Sequence, residues 1–409
     1  MNSTAIFSMA LGLLSPWQVE DVSFSSVDGQ PKELHIHIGF LPGSRFADES
    51  GTLCPVHDTV ERKWQHLNFF EHHCFLHCAV PRIKKPDGKV VTVNVPWARP
   101  GSGFTLLFEA FAMALIEREM PVNRVAETLG VLPQRIWTVF NHWVANARQS
   151  DDPSTVNRLG IDETSTKKGH NYVTLGVDLD TSRVIHVVEG KGKKTLANIK
   201  QYLESKDVNT RRITQLSMDL SPSFIAGAAE SFPLAAITFD RFHVVKLLNE
   251  AMDKVRKAER KEHDELKGHK YTFLKNRQNL TAKQDASLTE MITLYPTLGE
   301  AYRLKMLFND LWAMPDKLAA SAFLAQWCRE VETAKIPAFM AFAKTVKSHW
   351  SGIVNFVETR ITNGVLEGIN SKVQLAKRRA RGYRNIKNFI NMIYFICGKM
   401  TFNYPLYST

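Results

Sequence analysis

Leu159 to Val188, LGIDETSTKKGHNYVTLGVDLDTSRVIHVV, is the stretch on which the reading of the fold turns. Leu159–Thr164, Tyr172–Val177 and Val184–Val188 are short runs rich in β-branched residues. The polar turns KKGH and DLDTSR separate them, so three strands fold back on one another as an antiparallel meander. Downstream the pattern alternates: a helix over 194–204, a fourth strand over 213–218, a helix over 223–231, a fifth strand over 234–239, and a long helical pattern from Phe242. Such an order builds an α/β unit on one mixed sheet in which the first and fourth strands are neighbours. Asp162 then lies in the middle of the first strand and Asp219 at the C-terminal end of the fourth, with both carboxylates able to face one point.

That strand order is the order of the ribonuclease H fold, so residues 151–409 are read as a ribonuclease H-like domain. From about 243 to 350 the periodicity is helical only, broken at 267–269, Pro296, Pro315 and Pro337. It is too long for a loop and is read as an all-α insertion. Thr362 to Arg384, TNGVLEGINSKVQLAKRRARGYR, follows as a helix opened by Thr362/Asn363-Gly364 and ended near Gly382. Leu366, Ile369, Val373 and Ala376 form its apolar stripe. Glu367, Asn370 and Gln374 lie on another face, and Lys377, Arg378, Arg379, Arg381, Arg384 and Lys387 follow. No Asp or Glu occurs from Gly368 onward, so a lone carboxylate precedes a dense cationic segment suited to phosphates.

Two acids held close repel each other in a low dielectric unless a cation lies between them. Magnesium prefers carboxylate oxygens, and Glu367 would supply a third ligand to a two-ion site made with Asp162 and Asp219. Asp240 and His243 follow the fifth strand with D-x-x-H spacing. In one reading, His243 points to the scissile phosphate while Asp240 holds its other ring nitrogen; in the other, His243 caps the helix it begins. Glu163 points to the opposite face of its strand.

Upstream, residues 1–105 read as a β-rich region containing the alternating strand ELHIHIGF (33–40). Cys54-Pro-Val-His57 has the spacing of half a zinc ribbon, and with Cys74 and Cys78 it forms a candidate zinc set. Cys74, Leu76 and Cys78 also alternate as one face of a strand, with His73 and His77 on the other, which makes the thiols core residues instead. Residues 106–150 read as a helix-turn-helix domain, with helices over 108–117, 122–129 and 133–146. Ala126 sits at the helix crossing, Gly130 takes the left-handed turn, and Val131, Ile136 and Val139 face inward. Gln134, Arg135 and Thr138, at the start of the third helix, are placed to enter a DNA groove.

The whole-chain numbers agree with a polyanionic partner: 409 residues carry a net charge of +11. Five cysteines, an odd and scattered set, point to a reducing compartment rather than a disulfide framework. The apolar run Ala5–Leu14 is short and lacks a basic leader, and no run reaches membrane-spanning length.

Taken together, Gly160-Ile-Asp162-Glu163, Met218-Asp219-Leu-Ser, Phe239-Asp240-Arg-Phe-His243-Val, Thr362-Asn-Gly-Val-Leu-Glu367-Gly-Ile-Asn370 and the basic tail through Arg381-Gly-Tyr383 resemble the insertion-sequence transposases of the ISL-three family. Pro96-Trp97-Ala98-Arg99-Pro100-Gly101-Ser102 extends the resemblance upstream. The family often has an N-terminal cysteine ribbon, but here Arg82 is followed by Ile-Lys-Lys-Pro-Asp-Gly with no second cysteine pair. The resemblance implies a DDE-type catalytic domain with Asp162, Asp219 and Glu367 as its acids, Mg2+ or Mn2+ as cofactor, and double-stranded DNA as partner in the form of terminal inverted repeats and target. It also implies a homodimer or larger synaptic complex in the bacterial cytoplasm, associated with the nucleoid. Asn370, Lys372, Lys377, Arg378, Arg379, Arg381 and Arg384 are expected along the DNA. A regulator that has lost catalysis and a structure-selective nuclease on the same fold are the rival readings.

Overall fold

A computed structural model describes residues 3–26, 29, 31–167, 169, 171–360 and 364–404. Lys168 and His170 of the KKGH turn, and Thr362 and Asn363 at the expected helix start, lie outside the described residues. The chain divides into two compact units, Met1–Ala147 with Thr401–Thr409, and Arg148–Met400.

In the first unit a short helix α1 (Ser3–Ala10) precedes strands β1 (Trp17–Ser25), β2 (Glu33–Phe40), β3 (Arg45–Ala47), β4 (Leu53–Gln65), β5 (His73–Lys84) and β6 (Val90–Thr92). They form one sheet in the order β1-β2-β5-β4-β3, with β6 also on β5. Alternation along β5 buries Cys74, Leu76, Cys78 and Val80 against Leu34, Ile36 and Trp64, while His73, Phe75 and His77 on the other face are half-buried.

The candidate zinc set is therefore not brought together. Cys54 is buried, whereas His57, an odd number of residues along the strand, is exposed. Desolvation pushes the Cys74 and Cys78 thiols up to about 12, opposing the thiolate that zinc requires.

Helices α2 (Leu106–Glu117), α3 (Val122–Thr128) and α4 (Pro133–Gln149) complete this unit. Val125 and Ala126 of α3 and Ile136, Val139 and Phe140 of α4 are buried, and Val131 is half-buried. Gly130 turns the chain with φ +65°, and a Cβ there would come within 3.2 Å of the His73 ring. Replacing it by alanine forces a left-handed alanine against that ring. Gly130→Ala is expected to lose about 1–2 kcal/mol in urea denaturation.

The second unit holds the sheet expected from the meander. Its strands are β7 (Arg158–Lys167), β8 (Asn171–Asp178), β9 (Arg183–Glu189), β10 (Gln215–Met218) and β11 (Ala236–Phe239), in the order β11-β10-β7-β8-β9. β7, β8 and β9 pair antiparallel, and β10 runs parallel to both β7 and β11. Helices α5 (Lys193–Ser205) and α6 (Pro222–Ser231) bury Leu196, Ile199, Leu203, Phe224 and Ala228 in the core that also holds Leu159, Ile161 and Leu216 of the sheet.

After β11 every regular element is helical among the described residues: α7 (Arg241–Glu259), α8 (Lys270–Leu274), α9 (Ala282–Leu294), α10 (Pro296–Asn309), α11 (Lys317–Ala334), α12 (Pro337–Ser348), α13 (Trp350–Thr359), α14 (Gly364–Arg379) and α15 (Ile386–Cys397). Pro296 and Pro337 open α10 and α12, where a missing N–H costs nothing. Trp327, Phe308 and Phe342 pack edge to face at their centre. The helices return to the sheet at α13: Gly352 lies so close to the Phe239 ring that a Cβ would overlap it, and Asn355 Nδ2 donates to the Ile237 carbonyl at 2.7 Å.

Candidate active site

Parallel pairing brings the acids together. Ser217 of β10 pairs with Gly160 of β7, so Asp219 and Asp162, each two residues further along, emerge side by side. Phe239 of β11 pairs with Met218, and the Asp240 N–H donates to the Met218 carbonyl at 3.0 Å. Three carboxylates from three adjacent strands thus form one row.

Each carboxylate is held differently. Asp162 accepts the Glu163 N–H on Oδ1 at 2.7 Å and Asn370 Nδ2 on Oδ2 at 2.5 Å. Asp219 Oδ1 accepts the Ser221 N–H at 3.2 Å. Asp240 does two things at once: Oδ1 caps α7 through the Phe242 N–H at 2.9 Å, the role weighed from the sequence for His243, and Oδ2 is 3.0 Å from His243 Nδ1. The cap is Asp240, and the ring it holds is His243.

Burial pushes the Asp162 carboxyl up to about 6. The neighbouring charges of Asp219 and Asp240 act the same way, while the Glu163 N–H and His243 act against them. His243 is raised, first by its bond to Asp240 and then by the charges of Asp240, Asp219 and Asp162, against its own burial. The row is therefore short of positive charge, and its donors are oxygens, which suits a hard divalent ion.

Helix α14 lies along β7. Leu366 packs where a Gly160 Cβ would stand, 2.9 Å away. Asn370 reaches Asp162, Gln374 Nε2 donates to Thr164 Oγ1 at 2.8 Å, and Lys377 Nζ donates to the Ser165 carbonyl at 2.8 Å. Glu367, one turn before Asn370, is exposed. Among the described residues no three His, Cys, Asp or Glu side chains gather as a metal-holding group. The expected triad is thus assembled only in its two aspartates, and the α14 side chain that meets Asp162 is Asn370, expected from the sequence to lie along DNA.

The other expected DNA contacts divide in the same way. Lys372, Arg378, Arg379, Arg381 and Arg384 are exposed, whereas Lys377 is tied to β7. On α4, Gln134 is exposed. Arg135 places its guanidinium 4.0 Å over the Phe104 ring, and Thr138 Oγ1 donates to the Gln134 carbonyl at 2.9 Å.

One group escaped the sequence reading. Glu109 on α2 is fully buried and accepts from Arg99 Nε at 2.9 Å, Ser102 Oγ at 2.5 Å and Trp143 Nε1 at 2.8 Å. It ties the loop before the helix-turn-helix to α4. A single acid inside the apolar run LLFEAFAMAL was the available signal.

Residues 159–393 match the family model of the ISL3 DDE transposases, described as a transposase. Residues 93–144 match the helix-turn-helix domain of transposase family ISL3. The chain is 27% identical over 424 residues to the transposase for insertion sequence element IS1557 of Mycobacterium tuberculosis, covering 94% of this chain and 93% of that one. It is 26% identical over 391 residues to the transposase for insertion sequence element IS1001 of Bordetella parapertussis, covering 92% of this chain and 95% of that one. With a DDE-type domain matched over more than half its length and a helix-turn-helix domain before it, the chain belongs to the ISL3 family of insertion-sequence transposases.

Proposed function

We propose that the protein binds the terminal inverted repeats of its own insertion sequence and catalyses divalent-metal-dependent strand cleavage and strand transfer, with the second unit acting as a ribonuclease H-like domain. The observation that carries this reading is the parallel pairing of β7 and β10, which sets Asp219, just past the end of β10, beside Asp162 of β7, with Asp162 raised by burial and by its acidic neighbours.

Asp162 and Asp219 would hold Mg2+ or Mn2+, with Glu367 of α14 as the third acid of the site. Bound there, the ions would lower the barrier to attack on a phosphodiester and stabilise the departing 3′ oxygen. His243, oriented by Asp240, keeps a second ring nitrogen that can donate to a phosphate oxygen. Arg378, Arg381 and Arg384 would run along the backbone, and Gln134 at the start of α4 would read bases. Joining two ends calls for a homodimer or larger complex. A cytoplasmic, nucleoid-associated location follows from the DNA substrate; separately, no described helix is long and apolar enough to cross a membrane.

The test uses labelled duplex carrying the end of the element. Wild type should bind and nick it in Mg2+, and Asp219→Ala should bind without nicking. Binding without nicking by wild type would favour the regulator, and cutting of branched DNA regardless of end sequence, without joining, would favour the nuclease. In the same assay, replacing Arg378, Arg381 and Arg384 by Gln should flatten the dependence of log affinity on log salt by about 0.9 per arginine.

A further inference from the structure

Asn370 is joined to Asp162 through only half of its amide. Nδ2 donates to Asp162 Oδ2 at 2.5 Å, while Oδ1 is buried with no hydrogen-bond partner. A buried amide oxygen left unpaired is costly. The charges of Asp162, Asp219 and Asp240 crowd this site, and His243 among them is engaged by Asp240 through Nδ1. A carbonyl oxygen in such a site gains a partner when a cation is brought in.

We propose that Asn370 is a ligand of the divalent ion, contributing its neutral Oδ1 beside the carboxylate of Asp162. This rests on the metal-dependent reading of the same site. Without metal, the amide turns its N–H to Asp162 and supplies the partial positive charge that the row lacks. With metal, rotation about the last side-chain bond brings Oδ1 to the side of Asp162, where it faces the ion, and the ion replaces the amide N–H as the positive partner of the crowded carboxylates. An amide oxygen is an ordinary donor to a hard cation and adds no further negative charge to a row that already holds three acids. The position is fixed by packing: Leu366 closes over Gly160 together with Leu179, and Gln374 and Lys377 anchor the next two turns to Thr164 and Ser165. Asn370 therefore has little freedom except the turn of its own amide.

The proposal is tested by titrating the full chain with Mn2+ at pH 8 without DNA and reading free ion by electron paramagnetic resonance. Asn370→Ala should raise the Mn2+ dissociation constant by about tenfold or more, the scale of losing a group that holds or orients a metal. Asn370→Asp separates the two roles open to this side chain. It keeps an oxygen but cannot donate, so a ligand role predicts Mn2+ binding at least as tight as wild type, together with a lower melting temperature in EDTA. A role limited to holding Asp162 through the N–H predicts binding as weak as in Asn370→Ala, and that result would overturn the proposal. Equal Mn2+ affinity in wild type and Asn370→Ala would also overturn it, while leaving the aspartates as the metal site. If wild type itself binds no Mn2+, the metal-dependent reading falls first and this inference with it.

Discussion

Asp162→Asn is expected to abolish strand cleavage, by about a thousandfold or more, and at the same time to make the metal-free protein more stable than wild type at neutral pH. The ordinary carboxyl value is 3.8 and that of Asp162 in the folded chain is about 6. Between these values the folded state retains a proton that the unfolded state has released, so wild-type stability falls as pH rises through this window. The fall is on the order of 3 kcal/mol for a shift of about two units. Above pH 6 the folded chain holds a desolvated carboxylate beside Asp219 and Asp240. Asparagine removes that charge but has one acceptor oxygen for the two donors, the Glu163 N–H and Asn370 Nδ2. A net gain of about 1–2 kcal/mol at pH 7 is expected, giving way to a net loss near pH 4, where Asp162 is largely neutral too and only the missing acceptor counts. Urea denaturation in EDTA at pH 4 and pH 7 measures it. A variant less stable than wild type at pH 7, or one with the same pH dependence, would contradict the account.

The second large effect lies far from the acids in sequence. Glu109→Ala should destabilise the first unit by about 3–5 kcal/mol, because it leaves the half-buried Arg99 guanidinium and the buried Trp143 indole N–H without their acceptor. Binding to the element's end should fall with it, since the loop at 99–102 and helix α4 lose their common anchor. Two compact units make a single transition unsafe to assume, so the measurement should follow tryptophan fluorescence and helical signal separately. Glu109→Gln, which keeps one acceptor, should lose less than alanine. A change under about 1 kcal/mol in both variants would show that the network contributes little.

Much of the second unit was legible because its signals are local. Alternating β-branched runs and polar turns specify β7, β8 and β9, and prolines at 296 and 337 mark helix starts where their missing N–H is harmless. The positions of Asp162 and Asp219 followed from strand order alone. Strand starts were less legible: β10 begins at Gln215 rather than Ile213 and β11 at Ala236 rather than Leu234, because the preceding residues belong to turns and helical ends that apolar content does not reveal.

What failed was tertiary. Glu367, Asn370, Gln374 and Lys377 share one side of α14, and periodicity cannot say which turn meets Asp162. Packing of Leu366 over Gly160 decides it in favour of Asn370. Lys377 reads as a DNA contact by composition, yet the same helix placement sets it against Ser165. Cys54, Cys74 and Cys78 share metal-ligand chemistry with small core residues, and strand alternation selected the core.

Iron-directed cleavage of the protein backbone addresses the central claim most directly. Fe2+ with ascorbate and peroxide generates radicals that cut the chain next to the bound ion. Convergence of β7, β10 and α14 on one ion predicts fragments ending near residues 162, 219 and 370, all suppressed together by excess Mg2+. Cuts confined to other segments, or cuts near these three that Mg2+ fails to suppress, would contradict it.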